Sequence, residues 1–292
     1  MSFEERTLAR MATGVENRDP HALAIMDTLE PGHARIVGIT GAPGAGKSTL
    51  VDALATAIRR QGKTLAIIAV DPTSGVSGGA ILGDRIRMQQ HYADPGIFIR
   101  SMATRGSLGG VARATADMVR LMDAAGKDYV IVETVGVGQA EIAIADLAQV
   151  TVVVLVPGMG DDVQAIKAGI LEIADVFAIN KSDHPGAEKL EHELEAMLSL
   201  SNGRKPVIVK TVATTGEGVD KLLEAIQSAP LRTRGAAPRQ ISLRVANLDD
   251  AIAQFRSQGV EVQCDGKRRA LAHPPGDVSL ELIQDQNTDE HG

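Results

Sequence analysis

Residues Gly41 to Thr49 read GAPGAGKST. They meet the phosphate-binding pattern G-x-x-x-x-G-K-[ST] at every fixed position. The run Arg35-Ile36-Val37-Gly38-Ile39-Thr40 precedes them and reads as a buried strand, and Leu50 to Ile58 follows with helical spacing. In such a strand–loop–helix, glycines curl the backbone so that successive N–H groups converge on an anion, and the helix N-terminus adds its positive end. Gly41, Ala42, Pro43, Gly44, Ala45, Gly46 and Thr49 are therefore expected to cradle phosphates. Lys47 is expected to reach the β- and γ-phosphates, and the Ser48 hydroxyl to ligate Mg²⁺.

Composition supports an α/β fold around that loop. Aromatic residues make up 2% of the 292 and tryptophan is absent, so the core must be built from Ala, Val, Ile and Leu, which suits a mostly parallel sheet flanked by helices. A net charge of −7 without a basic block argues against a nucleic-acid partner. The single cysteine, Cys264, excludes an intrachain disulfide framework and suits a reducing compartment. The N-terminus lacks the apolar centre of a secretory signal, and no run reaches the length of a membrane span. A cytoplasmic chain with no membrane partner is the expectation.

Two helical segments, one with Leu8, Met11, Ala12 and Val15 on one face and one from His21 to Leu29, lead into the first strand. Beyond the loop, two apolar runs end in acids: Thr64 to Pro72 brings Asp71, and Asp128 to Thr134 brings Glu133. Ligands of open parallel sheets sit at the carboxyl ends of strands, so both acids are candidates for metal or nucleotide work. The glycine-rich stretch Thr73 to Met88 adds Asp84, with Arg85 and Arg87 as candidates for an arginine finger in cis. Glu133 is followed by Val135-Gly136-Val137-Gly138-Gln139. An acid and then a glycine describe a switch, the acid meeting Mg²⁺ through water and the Gly136 N–H meeting the γ-phosphate. Further strands are read at Gly96–Arg100, Val150–Val156, Asp175–Ile179 and Pro206–Lys210, with helices ending near Leu121 and Ile226. The strand at Ile179 runs into Asn180-Lys181-Ser182-Asp183, the N-K-x-D guanine reader. Its aspartate accepts from the ring N–H and exocyclic amine of guanine, whereas adenine offers neither donor there and would leave the acid unpaired. GTP is expected over ATP, with Val212, Ala213 and Thr214 lending backbone support to the guanine edge.

In one order the chain carries GAPGAGKST, AVDPTS, GGAILGDRIRM, VETVGVGQAE, MGDDVQAIKAGILEIAD and NKSD. On these motifs, about residues 5–228 resemble the methylmalonyl-CoA mutase-associated GTPases of the MeaB/ArgK type, a P-loop NTPase family. The resemblance implies GTP/GDP and Mg²⁺ as ligands. Ser48, Asp71, Asp84 and Glu133 would arrange the metal and its water, with Lys47, Asp71 and Glu133 catalytic. Asn180, Lys181 and Asp183 would hold guanine. Val212 stands where the family usually shows serine, so only a backbone contact carries over. Pro157 to Lys167 matches an additional switch, in which Asp161 and Lys167 would signal to a partner. It further implies GTP hydrolysis that gates cobalamin loading and protects an adenosylcobalamin-dependent acyl-CoA mutase, methylmalonyl-CoA mutase first. The mutase's adenosyltransferase and a second copy of the chain (a homodimer) are the other implied partners. A P-loop kinase and a nucleotide-dependent scaffold are the alternative readings.

The organisation expected is a GTPase domain over 1–230, a linker over 231–239, a small α+β module over 240–285 and a disordered tail over 286–292. The family's helical C-terminal arm is not evident. Instead Ile241–Val245, a helix from Leu248 to Gly259, Arg269–Pro274 and Val278–Ile283 resemble one βαβββ half of a glyoxalase-type fold, as at the end of methylmalonyl-CoA epimerase. Glu281 matches that family's last-strand metal ligand, while Gln240 stands at its histidine position. A docking or dimerisation role is the expectation for this module.

Overall fold

The computed structural model describes residues 5–71, 91, 93–103, 108–134, 147–158, 173–199, 205–232, 239–245, 247–257, 261–264, 269–273 and 278–284. The chain divides into two compact units, Met1–Thr233 and Arg234–Gly292. The first contains strands β1 (Arg35–Gly41), β2 (Leu65–Asp71), β3 (Ile97–Ala103), β4 (Tyr129–Thr134), β5 (Val150–Leu155), β6 (Val176–Ile179) and β7 (Val207–Lys210). They form one sheet in the order β3-β2-β4-β1-β5-β6-β7, with parallel pairing throughout. β2, β3 and β4 lie on one side of β1, and β5, β6 and β7 on the other. The loop after β1 therefore opens where the connections change direction, the place where such sheets bind ligands.

Both faces of the sheet are covered, which is why β4 and β5 are buried at every residue and show no alternation. On one face lie α3 (Lys47–Arg60) and α6 (Val219–Ser228). Their Leu50, Leu54, Ile58, Leu222 and Ile226 share a core with Ile39, Ile131 and Val152. Each fully buried leucine there contributes about 1.5–3 kcal/mol relative to an exposed one. The other face is covered by α1 (Glu5–Glu16), α2 (Pro20–Asp27) and α4 (Leu108–Ala124), through Leu8, Val15, Met26, Met118 and Met122 against Ile36, Ile68 and Val132. The N-terminal helices are thus part of the core. Asp19 starts α2 by accepting the N–H groups of His21 and Ala22, with Pro20 in the first turn. A helix that the sequence analysis does not name, α5 (Ala187–Ser199), packs Leu190, Leu194 and Leu198 against Val153, Phe177 and Ile179. β3 extends to Ala103, beyond the expected Arg100. No described helix is long and apolar enough to cross a membrane.

Where the linker is expected, the Arg232 N–H donates to the Gln149 carbonyl, and its guanidinium donates to the Ile173 carbonyl and pairs with Asp175. The second unit has β8 (Arg239–Val245), α7 (Leu248–Ser257), β9 (Glu261–Cys264), β10 (Arg269–His273) and β11 (Val278–Gln284). Its sheet order is β8-β11-β10-β9, with β8 parallel to β11 and the other pairs antiparallel. β9 is a strand the sequence analysis does not name. Asn247 caps α7, its side chain accepting the N–H groups of Asp249 and Asp250.

Candidate functional site

The phosphate loop is built on two glycines that no other residue replaces. Gly41 has φ 138°, and a Cβ there would lie 2.2 Å from the Val154 carbonyl oxygen; Gly46 has φ 85°, and its Cβ would lie 2.5 Å from Asn180 Nδ2. An L side chain at either position faces both the strained backbone and the collision. Helix α3 starts directly at Lys47, with no side chain capping its first turn. Its leading N–H groups and its dipole are left for an anion. Lys47 is buried, and its ammonium donates to the Gly41 carbonyl at 2.7 Å and the Ala42 carbonyl at 2.9 Å. The cation is thus held within the loop, beside the space a phosphate would take. Ser48 Oγ donates to Glu133 Oε1 at 2.6 Å, joining the first turn of α3 to the carboxyl end of β4.

The N-K-S-D segment is bonded to that same loop. Asn180 Nδ2 donates to the Ala45 carbonyl at 2.8 Å, and Lys181 Nζ to the Gly44 carbonyl at 3.0 Å. Asn180 is 2% exposed. Its Oδ1 accepts the Ala213 N–H at 3.1 Å and the Thr211 hydroxyl at 3.3 Å. Lys181 has φ 54°, a conformation non-glycine residues adopt rarely and mostly where function holds them. Asp183 is exposed beyond this bonded floor, where its carboxylate can meet a base from solvent.

The structure therefore brings together Gly41 to Ser48, Glu133, Asn180, Lys181 and Ala213. Thr49 and Thr214 are exposed. The Val212 N–H donates to the Glu217 carbonyl, so within the loop it is Ala213 whose N–H meets Asn180. Asp71 ends β2 in the backbone, but its side chain lies outside the described residues, as do Asp84, Arg85, Arg87, Gly136, Gln139, Asp161 and Lys167. Thr211, not among the residues expected from the sequence, also joins the site. Its N–H donates to Ile179, its carbonyl accepts the Ser182 N–H, and its hydroxyl orients Asn180. A hydroxyl residue closing an apolar strand just before the base loop was the available signal.

Among the described residues, no group of three or more His, Cys, Asp or Glu gathers around a metal-sized space. The Ser48 hydroxyl and Glu133 carboxylate are hard oxygens beside an anion loop. Mg²⁺ is commonly held by one or two carboxylates completed by substrate phosphates and water, so this donor pair fits it.

The model of the methylmalonyl Co-A mutase-associated GTPase MeaB family matches residues 8–254. The match continues past residue 228, where the motifs alone place its end. The chain is 53% identical over 232 residues to a Pyrococcus horikoshii protein named as a GTPase, covering 77% of this chain and 73% of that one. It is 39% identical over 236 residues to the GTPase ArgK of Escherichia coli, covering 76% and 71%. It is 39% identical over 198 residues to the mouse mitochondrial methylmalonic aciduria type A homolog, covering 65% and 48%. Among solved structures, one described as a LAO/AO transport system kinase superposes with TM-score 0.60 and 27% identity, covering 88% of this chain and 79% of that one. HypB from Helicobacter pylori, at 16% identity and TM-score 0.51 over 77% of this chain and 98% of that one, shares the fold.

Proposed function

This chain belongs to the methylmalonyl-CoA mutase-associated GTPase (MeaB) family, and on that premise we propose that its GTP hydrolysis gates cobalamin loading into an adenosylcobalamin-dependent acyl-CoA mutase and protects that enzyme. Methylmalonyl-CoA mutase is the proposed client. The mutase's adenosyltransferase and a second copy of this chain are proposed as further partners. The observation that carries the reading is the pair of bonds from Asn180 and Lys181 to the carbonyls of Ala45 and Gly44. They join the N-K-S-D segment directly to the phosphate loop, which supports reading both as contacts to one guanine nucleotide.

In this reading the backbone N–H groups of the Gly41 to Ser48 loop, Pro43 excepted, hold the phosphates. Lys47 exchanges its two loop carbonyls for phosphate oxygens and neutralises charge as the γ-phosphoryl group departs. Asp183 accepts from the guanine edge, and Asn180, fixed by Thr211 and Ala213, holds the loop in register. Ser48 and Glu133, with Asp71 and Asp84, would hold Mg²⁺, which when bound supplies positive charge to the transferring phosphoryl group. Gly136, Gln139, Asp161 and Lys167 are proposed to report the nucleotide state to the client.

Two experiments test this. Purified protein given labelled GTP or ATP should release phosphate from GTP with strong preference. Label appearing on an acceptor molecule instead would establish the kinase reading. Co-elution with methylmalonyl-CoA mutase should differ between GDP and a non-hydrolysable GTP analogue, and equal co-elution, or none in either state, would overturn the gating role.

A further inference from the structure

At the carboxyl end of the sheet the main-chain pairing of β1 with β4 ends before either strand does. The β1–β4 register runs from Arg35↔Tyr129 to Ile39↔Glu133 and ends there. One residue further, Thr134 Oγ1 donates to Thr40 Oγ1 at 3.2 Å. Thr40 is 0% and Thr134 2% exposed, so neither hydroxyl faces solvent. Thr40 directly precedes Gly41 and still pairs with β5, as Thr40↔Val153. Thr134 directly follows Glu133, ends β4, and still pairs with β2, as Val70↔Thr134. The two hydroxyls thus continue the junction between phosphate-loop strand and acid-bearing strand after the main-chain ladder has stopped.

Side chains alternate across a strand. Glu133 reaches Ser48 on α3, so Thr134 points to the opposite face, where Val130 and Val132 pack with the α1, α2 and α4 core. Its hydroxyl meets Thr40 on that face, not Ser48 or the start of α3. Its influence passes through the backbone of Glu133.

From this arrangement we infer that Thr134 is a positioning residue: its buried bond to Thr40 fixes the end of β4 against the phosphate-loop strand and so sets the Glu133 carboxylate for its work with Ser48. The inference rests on the GTPase reading of the site. A carboxylate displaced by about an ångström costs up to about a hundredfold in turnover, while phosphate and base contacts elsewhere in the site are untouched.

The test compares Thr134→Val, which keeps the shape and removes the hydroxyl, with Thr134→Ser, which keeps the hydroxyl. In T134V, kcat for GTP should fall about tenfold or more with KM within about twofold, the pattern of a lost transition-state contact. Hydrogen exchange at the Val132 to Thr134 amides, measured without nucleotide or metal, should quicken several-fold. T134S should restore both. Parental turnover and exchange in T134V, or a T134S as impaired as T134V, would overturn the inference, the latter assigning the effect to methyl packing. If T134V does not fold, Thr40→Val removes the same bond from the other strand and is read in the same two assays. A parent chain that binds GTP without hydrolysing it would end the functional reading, and the exchange comparison would still decide the hydroxyl bond.

Discussion

Replacing Asn180 with alanine tests the junction on which the nucleotide site stands. The substitution removes bonds to the Ala45 carbonyl at 2.8 Å, the Ala213 N–H at 3.1 Å and the Thr211 hydroxyl at 3.3 Å. An intramolecular hydrogen bond is worth about 1 kcal/mol net, and a buried polar group left unmet costs about 1–3 kcal/mol. Ala45 and Ala213 are themselves buried, so these two descriptions of one loss overlap and are not summed. The longest bond adds least. A net cost of about 2–3 kcal/mol follows, and at about 2–4 °C per kcal/mol for a domain of this size, Tm should fall by about 4–12 °C. The assay is thermal unfolding of nucleotide-free protein followed by circular dichroism, with Thr214→Ala at an exposed neighbouring position as the control. GDP affinity, measured by calorimetry, should fall at least about tenfold, equivalent to 1.4 kcal/mol. A Tm within about 1 °C of the parent would refute the reasoning, because the buried amide would then not be holding the two loops together.

Gly41→Ala forces a Cβ to 2.2 Å from the Val154 carbonyl at φ 138°. It should cost more than about 3 kcal/mol, seen as loss of soluble folded protein, and a folded variant with parental Tm would contradict the geometry. Ser48→Ala removes the 2.6 Å bond to Glu133. Its Mg²⁺ requirement in GTP hydrolysis should rise at least several-fold, and an unchanged Mg²⁺ midpoint would remove Ser48 from the metal set. Stability should fall on acidification through two carboxylates. A hydrogen bond from Arg59, with the Gly96 N–H, holds Asp94 below the ordinary carboxylate range. Burial pushes Asp128 up, but the Thr64 N–H and hydroxyl and the Lys63 ammonium outweigh it and leave it lowered. Folded values below unfolded ones give stability that is complete above about pH 4–5 and lost as pH falls through the folded values. Urea midpoints of the Asp94→Asn, Asp128→Asn double variant should lie below the parent at pH 7 and drop less steeply below about pH 4, and parallel curves would refute the assignment.

The sequence makes the frame legible because the frame is local. A phosphate loop needs a strand before it and a helix after it, and apolar runs such as VTVVVL can only be strands buried on both faces. Base and phosphate motifs are equally local, so Asn180, Lys181 and the Gly41–Ser48 loop were readable from spacing. Bonds between segments distant in the chain were not. Glu133 was identifiable as an acid at a strand end, but its 2.6 Å contact with Ser48 spans 85 residues. Thr134 looks like an ordinary β-branched strand residue and Thr211 like a loop residue just past β7, because a hydroxyl's role depends on what the neighbouring segment places opposite it. Helix α5 carries its apolar residues at 190, 194 and 198 with charges between them, a pattern that charge-rich composition hid. β9 is four residues long, too short to establish a period.

The site is held unequally on its two sides, and the inequality suits a timer. Toward β5 and β6 the floor is tied through the main chain of the loop: Gly41 pairs with Val154, the Asn180 N–H donates to the Leu155 carbonyl at 2.7 Å, and the Asn180 and Lys181 side chains donate to the loop carbonyls. On the proposed reading, none of these bonds has to change when a γ-phosphate leaves, so guanine and the inner phosphates would keep the same seat before and after hydrolysis. Toward β4 the named ties at the strand end are between side chains, Ser48 with Glu133 and Thr134 with Thr40. The Ser48–Glu133 bond can be exchanged for contacts to Mg²⁺ and water at little cost, because one charge-assisted oxygen contact replaces another. A protein that must hold GDP and GTP alike, yet tell a partner which is present, gains by placing rigidity on the base side and exchangeable contacts on the γ-phosphate side. On the proposed reading, hydrolysis is therefore felt first at Glu133, and the buried hydroxyl pair limits how far β4 can follow it.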